Sequence, residues 1–511
     1  MAEHIPHYMM LSRLIDSLVN CEVAMDVPVM GITSDSKHVK KGFVFVAYPG
    51  SARDGRDYID DAVSRGAAAI MMESPSGRDE THLRYFKNRT VPVLYIINLK
   101  CLYGVFLSKF YFNPSRKMGM IGVTGTNGKS SVVYIIHQAL NMLGRKTGYI
   151  GTMGLSHGEQ QTGYKHTTPD ASVIQATLAQ MQLNGCEQVA AEVSSIGLDQ
   201  HRVNGCVFDT AILTNISRDH MDYHQDFQHY CQSKAKLFAK PDLRNVVVNI
   251  DDQFGKELFI RYSAEKNVIG FSLDQKYLNN RNVVVAHQIE SSISGSKFMV
   301  HSPWGVGPIN SQLLGKFNIY NTIAALITLC IHDVAFDDAC RVLGQVNGVP
   351  GRMQSLQYRN DQPTVLIDYA HTPDALAKVL SMLKQHCRGK LQVLFGCGGN
   401  RDRGKRKLMG EIAAQYADHI ILTDDNPRFE NPSVIINDIK LGLAPETQYE
   451  IEHDRALAIA KIIKQSDAND VIVIAGKGQE KTQEIAGEFY PFSDAEQVKK
   501  VLQFSYFEEA M

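Results

Sequence analysis

At 511 residues the chain is too long for a single hydrophobic core, and two to four domains are expected. Its 44% hydrophobic and 21% charged residues suit a folded globular protein, and a formal net charge of -1 gives no electrostatic reason to bind nucleic acid or an anionic membrane. The opening residues lack a basic segment followed by an apolar one, and no apolar run approaches the roughly 18 residues of a membrane span, so neither a signal peptide nor membrane insertion is expected. Nine cysteines, odd in number and without a C-x-x-C pair, read as reduced thiols in a cytoplasmic enzyme.

Residues 1–112 read as a small α/β domain. Strand-like runs fall at 42–47, 67–72 and 91–97, with a helix at 58–65. The hydroxyl-rich stretch T-S-D-S-K, carrying Ser34 and Ser36, and the loop from Gly50 and Ser51 to Gly55 have the composition of a polar ligand site. Taken alone, such stretches are more often plain turns. A linker is expected near 112–116.

The stretch 118–131, M-G-M-I-G-V-T-G-T-N-G-K-S-S, carries the plainest chemistry. An apolar strand breaks into a turn at Gly125 and Gly128, and Lys129 and Ser130 open a helix with Val132, Val133, Ile136 and Leu140 at helical spacing. Backbone N–H groups and a helix N-terminus then cradle a phosphate, the lysine reaches the β/γ-phosphates, and the Ser130 hydroxyl suits Mg²⁺. Val123 stands where a strict nucleotide loop has its first glycine.

The central region, 113–346, continues as alternating strands (147–151, 189–193, 210–214, 245–249) and helices. It predicts a mostly parallel sheet covered on both faces, with ligands at the carboxyl ends of the strands. There the chain places Glu192-Val193-Ser194-Ser195 and Thr214-Asn215-Ile216-Ser217-Arg218-Asp219-His220. Singly, Glu192 and His220 are ordinary structural residues; at consecutive strand ends beside a phosphate loop they become candidate Mg²⁺ or Mn²⁺ ligands. The C-terminal region, 347–511, shows strands at 365–367, 391–395, 419–422 and 471–474. They lead into D-Y-A-H-T-P-D, G-C-G-G-N-R-D-R-G-K-R, D-D-N-P-R and A-G-K-G-Q-E. The run Gly396, Gly398, Gly399 lacks the spacing of a dinucleotide fingerprint and is rejected as one.

Taken in order, T-G-T-N-G-K-S, E-V-S-S, N-I-S-R-D-H-M-D-Y-H, L-L-G-K-F-N-I-Y-N, G-V-P-G-R-M, D-Y-A-H-T-P-D-A-L, D-D-N-P-R and G-K-G-Q-E make the chain resemble the Mur ligases of bacterial cell-wall synthesis, over essentially its whole length. The resemblance implies an α/β protein of three domains, 1–112 for the UDP-sugar, 113–346 for ATP and 347–511 for the incoming amino acid. It also implies an ADP-forming ligase, in which a carboxylate of the nucleotide-sugar dipeptide takes the γ-phosphoryl group and an amine displaces phosphate from the acyl phosphate. ATP would lie on Gly125, Thr126, Asn127, Gly128, Lys129, Ser130 and Ser131, with Asn321, Arg352, Asp368 and His371 at its base and ribose. An N-cap role for Asn321 remains open beside that one.

Two Mg²⁺ ions are implied, one on Ser130 and one on Glu192 and His220, together with a CO₂-derived carbamate on Lys234. Lys236 competes for that position, and without the resemblance both read as solvated helix lysines. The UDP-sugar residues would be Ser34, Ser36, Ser51, Thr167, Thr168, Ser194, Gln200 and Arg202. In this family D-N-P-R accompanies addition of meso-diaminopimelate, whose second carboxylate suits an arginine fork. The expected pocket is Arg401, Asp425, Asn426, Pro427, Arg428, Gly476 and Glu480, with Glu480 meeting the distal ammonium. The partners are therefore small molecules (ATP, a UDP-MurNAc-dipeptide and meso-diaminopimelate) acting on a cytoplasmic monomer. Alternatives are a lysine-adding or folylpolyglutamate-type ligase, or a non-catalytic nucleotide-binding protein. Three departures from the family pattern stand out: Ile196 and Gln479 where relatives carry histidine, and Ser131 for threonine.

Overall fold

The computed structural model describes residues 8–508 except 51–52, 87–88, 158–159, 165, 222, 293–294 and 360. The chain divides into two compact units. The first comprises 1–288, 299–309 and 319–344; the second comprises 289–298, 310–318 and 345–511.

The first unit holds a short ribbon of Met9–Met10 with Pro28–Val29 and two larger sheets. Near the N-terminus, β1 (Gly31–Thr33), β2 (Phe43–Ala47), β3 (Ala69–Glu73), β4 (Glu80–Phe86) and β5 (Arg89–Ile96) form a sheet ordered β1-β2-β3-β5-β4, parallel except for the β4–β5 hairpin. The helix expected at 58–65 is α1 (Ile59–Ser64), entered through a 3-10 turn over Gly55–Tyr58 that the Asp54 carboxylate caps. Helix α2 (Leu99–Phe110) then packs Leu99, Phe106 and Phe110 into the core against Leu94 and Ile96 of β5. The expected linker is a sharp break, with Phe112 and Asn113 both in left-handed backbone (φ 59° and 52°).

The central sheet follows the alternation in the sequence. Strands β6 (Gly119–Thr124), β7 (Thr147–Gly151), β8 (Gln188–Glu192), β9 (Thr210–Leu213), β10 (Asn245–Asn249) and β11 (Asn267–Ser272) run parallel in the order β7-β8-β6-β9-β10-β11. Between them lie α3 (Lys129–Met142), α4 (Ala171–Leu183), α5 (Ser195–Asp199), α6 (Phe227–Phe238) and α7 (Gln253–Tyr262). The strands are buried on both faces, which is why they read as continuous apolar runs rather than alternating ones. Beyond them, α8 (Lys316–Ile331) contributes Ile323, Ala324 and Ile327, all buried.

In the second unit, β12 (Thr364–Asp368), β13 (Leu391–Phe395), β14 (His419–Leu422), β15 (Tyr449–Ile451) and β16 (Val471–Ala475) form a parallel sheet ordered β12-β16-β13-β14-β15. The short strand Gln354–Leu356 is antiparallel at its edge. Helices α9 (Pro373–His386), α10 (Gly404–Tyr416), α11 (Pro432–Lys440) and α12 (Arg455–Lys464) cover it, and a hairpin of β17 (Thr482–Ile485) and β18 (Glu488–Pro491) follows β16.

Candidate active site

The phosphate loop sits between β6 and α3, as the sequence predicts. Gly125 has φ 148°, and a Cβ there would lie 2.0 Å from Thr214 Oγ1, so the turn closes on the end of β9 only without a side chain. The loop is fastened to that strand end by backbone and side chain. Thr126 N–H donates to Asn215 O (2.8 Å), Asn127 N–H donates to Asn215 Oδ1 (3.1 Å), and Thr214 Oγ1 and Asn215 Nδ2 both donate to Asn127 O. Lys129 folds back over the loop, its Nζ donating to Gly125 O (2.9 Å) and Thr126 O (2.8 Å).

Glu192, at the end of β8, is fully buried next to this loop. Its Oε2 accepts Ser130 Oγ at 2.8 Å and Thr152 Oγ1 at 3.2 Å; its Oε1 accepts Tyr149 OH at 2.9 Å and Thr152 N–H at 2.8 Å. A buried carboxylate with four donors around it is held in one orientation. Tyr149 and Thr152 were not legible as site residues, because each is one hydroxyl in an unremarkable strand or turn. His220, by contrast, is exposed in left-handed backbone (φ 54°), with Nε2 3.6 Å from Asp219 Oδ2. Among the described residues no three His, Cys, Asp or Glu side chains cluster as a metal site. Glu192 and the Ser130 and Thr152 hydroxyls are hard oxygen donors of the kind Mg²⁺ takes; the remaining ligands would have to be phosphate and water oxygens.

Lys234 is not a solvated helix lysine. It lies 1% exposed on α6, with Nζ donating to Gly125 O at 2.8 Å and 4.5 Å from the centroid of the Tyr230 ring. Burial, reinforced by the nearby Lys129 cation, pushes its ammonium down to about 6, so near neutral pH the amine is uncharged. The competitor Lys236 is partly exposed and pairs with Asp199 at 2.8 Å. Asn321 lies five residues inside α8, so an N-cap role is ruled out. Its Oδ1 is 2.7 Å from where a Cβ on Gly128 would stand, which puts the side chain against the phosphate loop.

Of the residues expected for the nucleotide sugar, Thr168 and Ser194 lie beside Glu192. Thr168 Oγ1 donates to Glu192 O (3.0 Å) and accepts Ser194 N–H (2.9 Å), while Ser194 Oγ caps α5 by accepting Gly197 N–H. Arg202 donates through Nη1 to Thr168 O (2.7 Å) and through Nε and Nη2 to Gln200 Oε1. Thr167 Oγ1 lies 3.3 Å from the Thr152 hydroxyl. From the N-terminal sheet, Ser34 lies near the Tyr48 hydroxyl, whose pKa burial raises and which also feels the charges of Asp170 and Arg202. Ser36 is buried near Asp61. Ser51 lies outside the described residues.

In the second unit, the Asp368 carboxylate at the end of β12 accepts Met353 N–H (2.7 Å) and Ala370 N–H (2.8 Å), and burial raises its pKa. Arg352 lies 6.0 Å over the Tyr369 ring, and His371 Nδ1 is 2.9 Å from Tyr369 O. The D-D-N-P-R and G-K-G-Q-E segments meet through a lysine that the sequence did not single out. Lys477, fully buried, donates to Asn426 Oδ1 (3.0 Å), Glu480 Oε2 (2.9 Å) and Thr482 O (2.8 Å). Asn426 Nδ2 also donates to Glu480 Oε2, so one oxygen of that carboxylate is committed within the fold.

Arg428, in left-handed backbone (φ 53°), donates from Nε to Glu484 Oε2 (2.8 Å) and from Nη1 to Gly399 O (2.8 Å). The rejected glycine run has a packing role: a Cβ on Gly399 would sit 1.9 Å from Pro427 O. Arg401 and Arg428 flank Gly398, 3.7 Å and 2.9 Å from its missing Cβ. Asp425 is buried next to Gly476, and burial raises its pKa.

Three family models match the chain in succession: "Mur ligase family, catalytic domain" over 28–111, "Mur ligase middle domain" over 123–329 and "Mur ligase, glutamate ligase domain" over 351–478. The chain belongs to the Mur ligase family. Its three-domain Mur ligase architecture agrees with the expected α/β fold. A UDP-N-acetylmuramoyl-L-alanyl-D-glutamate--2,6-diaminopimelate ligase from Coxiella burnetii (strain RSA 493 / Nine Mile phase I) is 42% identical over 492 residues, 96% of this chain and 99% of that protein. One of the same name from Ectopseudomonas mendocina (strain ymp) is 44% identical over 477 residues, 93% of this chain and 95% of the relative. A solved structure with that name superposes with a TM-score of 0.71 at 33% identity, covering 94% of this Mur ligase and 96% of the other.

Proposed function

We propose that this Mur ligase uses ATP to join the amine of meso-diaminopimelate to the D-glutamate carboxylate of UDP-N-acetylmuramoyl-L-alanyl-D-glutamate, releasing ADP and phosphate, in peptidoglycan precursor synthesis. The observation that carries the amino-acid assignment is Arg428, held in place by Glu484 and Gly399 beside Arg401. An arginine so oriented suits the second carboxylate that distinguishes diaminopimelate from lysine. Residues 1–112, 113–346 and 347–511 take the UDP-sugar, ATP and amino acid respectively.

The dipeptide carboxylate attacks the γ-phosphorus, ADP leaves, and the amine then attacks the acyl carbon and expels phosphate. The chain's task is to hold polyanions in line and balance the charge that develops. Lys129 and the N–H groups of 128–131 bind the phosphates, while Thr126 and Asn127 secure the loop from behind. Ser130 would hold one Mg²⁺ and Glu192 with His220 a second, and these would neutralise charge on the transferring phosphoryl group. Lys234, uncharged near neutral pH, is a nucleophile for CO₂; the carbamate would place an anion beside the loop. Thr167, Thr168, Ser194, Gln200 and Arg202 bind the nucleotide-sugar dipeptide, with Ser34, Ser36 and Ser51. Asn321, Arg352, Asp368 and His371 take the adenosine, while Asp425, Asn426, Pro427, Gly476 and Glu480 complete the diaminopimelate pocket. In this reading the protein works as a cytoplasmic monomer.

The deciding experiment is phosphate release with ATP, Mg²⁺ and the UDP-sugar dipeptide, adding meso-diaminopimelate to one sample and L-lysine to another. Release with diaminopimelate alone supports the proposal. Release with lysine alone overturns the pocket assignment, and release with neither favours a non-catalytic nucleotide-binding protein.

A further inference from the structure

Tyr230 is fully buried on α6, where H-Y-C-Q-S-K reads only as helix. Its hydroxyl lies 2.8 Å from Thr126 Oγ1. Counting protons assigns the direction of this bond. A threonine hydroxyl has one donor and two acceptor positions. Thr126 Oγ1 donates to Ser217 O (3.0 Å) and accepts Ser217 N–H (2.9 Å), so the remaining position accepts the Tyr230 proton.

The Thr126 hydroxyl is thereby saturated, and its backbone N–H is committed to Asn215 O. Thr126 therefore has no donor left for a phosphate; it is the bolt that fastens the loop to Asn215, Ser217 and Tyr230. The same tyrosine ring backs the Lys234 amine at 4.5 Å, and the His220 ring lies 6.5 Å from it. One side chain thus touches the phosphate loop and the lysine, and lies close to the loop that carries His220.

We infer that Tyr230 is a positioning residue for the nucleotide, acting through the Thr126 hydroxyl to hold loop 125–130 in the shape that receives the ATP phosphates. It touches no substrate itself. Removing its hydroxyl leaves a buried acceptor unfilled and frees the loop to sample conformations that do not bind, so the loss falls on ATP.

The test is steady-state phosphate release by the full chain carrying Tyr230→Phe, Thr126→Val, or both, with KM measured separately for ATP and for diaminopimelate. Each single variant is expected to raise KM for ATP about fivefold or more, with KM for diaminopimelate within about twofold. The double variant should be no worse than the poorer single one, because both remove the same bond. Thr126→Ser, which keeps the hydroxyl, should restore most of the loss. Thr126→Val reads the bond from its other end if Tyr230→Phe does not fold. An unchanged KM for ATP, a parallel rise in both KM values, or independently multiplying effects would each overturn the inference. It rests on the ATP reading of the loop: absence of ATP turnover by the unaltered protein would sink that reading, whereas normal turnover with an unresponsive KM sinks only the role of Tyr230.

Discussion

Ser130 Oγ donates to Glu192 Oε2 at 2.8 Å, tying the first turn of the phosphate-loop helix to the end of the neighbouring strand. Because Tyr149 and Thr152 also donate to this carboxylate, Glu192→Gln keeps the shape of the site and loses its charge. The variant should fold normally and need about 10- to 100-fold more Mg²⁺ for half-maximal activity. A Mg²⁺ titration of phosphate release checks this. An unchanged requirement would remove Glu192 from the metal site.

The amine of Lys234 gives a pH signature in carbonate-free buffer. Its pKa is near 6 when folded and near 10.5 when solvated, so between those values the unfolded chain binds more protons. Stability therefore rises with pH across that window. Lys234→Met abolishes this contribution and should be the more stable protein at pH 7, by on the order of 4 kcal/mol, with the advantage gone near pH 10.5. Denaturant unfolding at the two pH values measures it. The same variant should be inactive with or without bicarbonate.

Arg428→Ala removes the guanidinium and leaves the phosphate loop untouched. KM for diaminopimelate should rise about 10- to 100-fold, the value of one or two charge-assisted hydrogen bonds, while KM for ATP stays within about twofold. Steady-state kinetics in both substrates decide it; an unchanged KM for diaminopimelate would show that the fork serves the fold alone.

Arg455 and Asp494 form a fully buried pair, with Nε to Oδ1 at 2.7 Å and Nη2 to Oδ2 at 2.9 Å, and Arg455 also reaches Ala475 O at the end of β16. Asp494→Asn strands a buried cation and should cost about 3–5 kcal/mol. Thermal unfolding should show the C-terminal unit melting about 10 °C earlier or more. A shift under about 2 °C would mean that water or Asp425 compensates the charge.

The sequence showed most of this architecture because its strands are doubly buried and its turns carry Gly, Asn and Asp. The runs expected at 245–249 and 391–395 match β10 and β13 residue for residue. The phosphate loop was legible for the same reason, since glycine spacing and a following amphipathic helix are local properties. Burial of charge was not. Lys234 and Lys477 sit among polar neighbours in the sequence, and only tertiary packing desolvates them. Asn321 suggested a helix start because Ile323, Ala324 and Ala325 follow it, but the helix runs back to Lys316. The hydroxyl pair of Tyr230 and Thr126 joins residues 104 positions apart, a separation that no pattern within either segment reveals.

The three donors of Lys477 bear on how this protein can be altered. They are spent on Asn426, Glu480 and the backbone at Thr482, while Glu484, two residues further on, holds Arg428. The segment 425–428 and the stretch 476–485 therefore behave as one heritable cassette. A chimera that exchanges D-N-P-R alone would mate foreign side chains to a resident lysine and glutamate and should lose function toward every amino acid. If the proposed pocket is right, retargeting requires both stretches to be transplanted together.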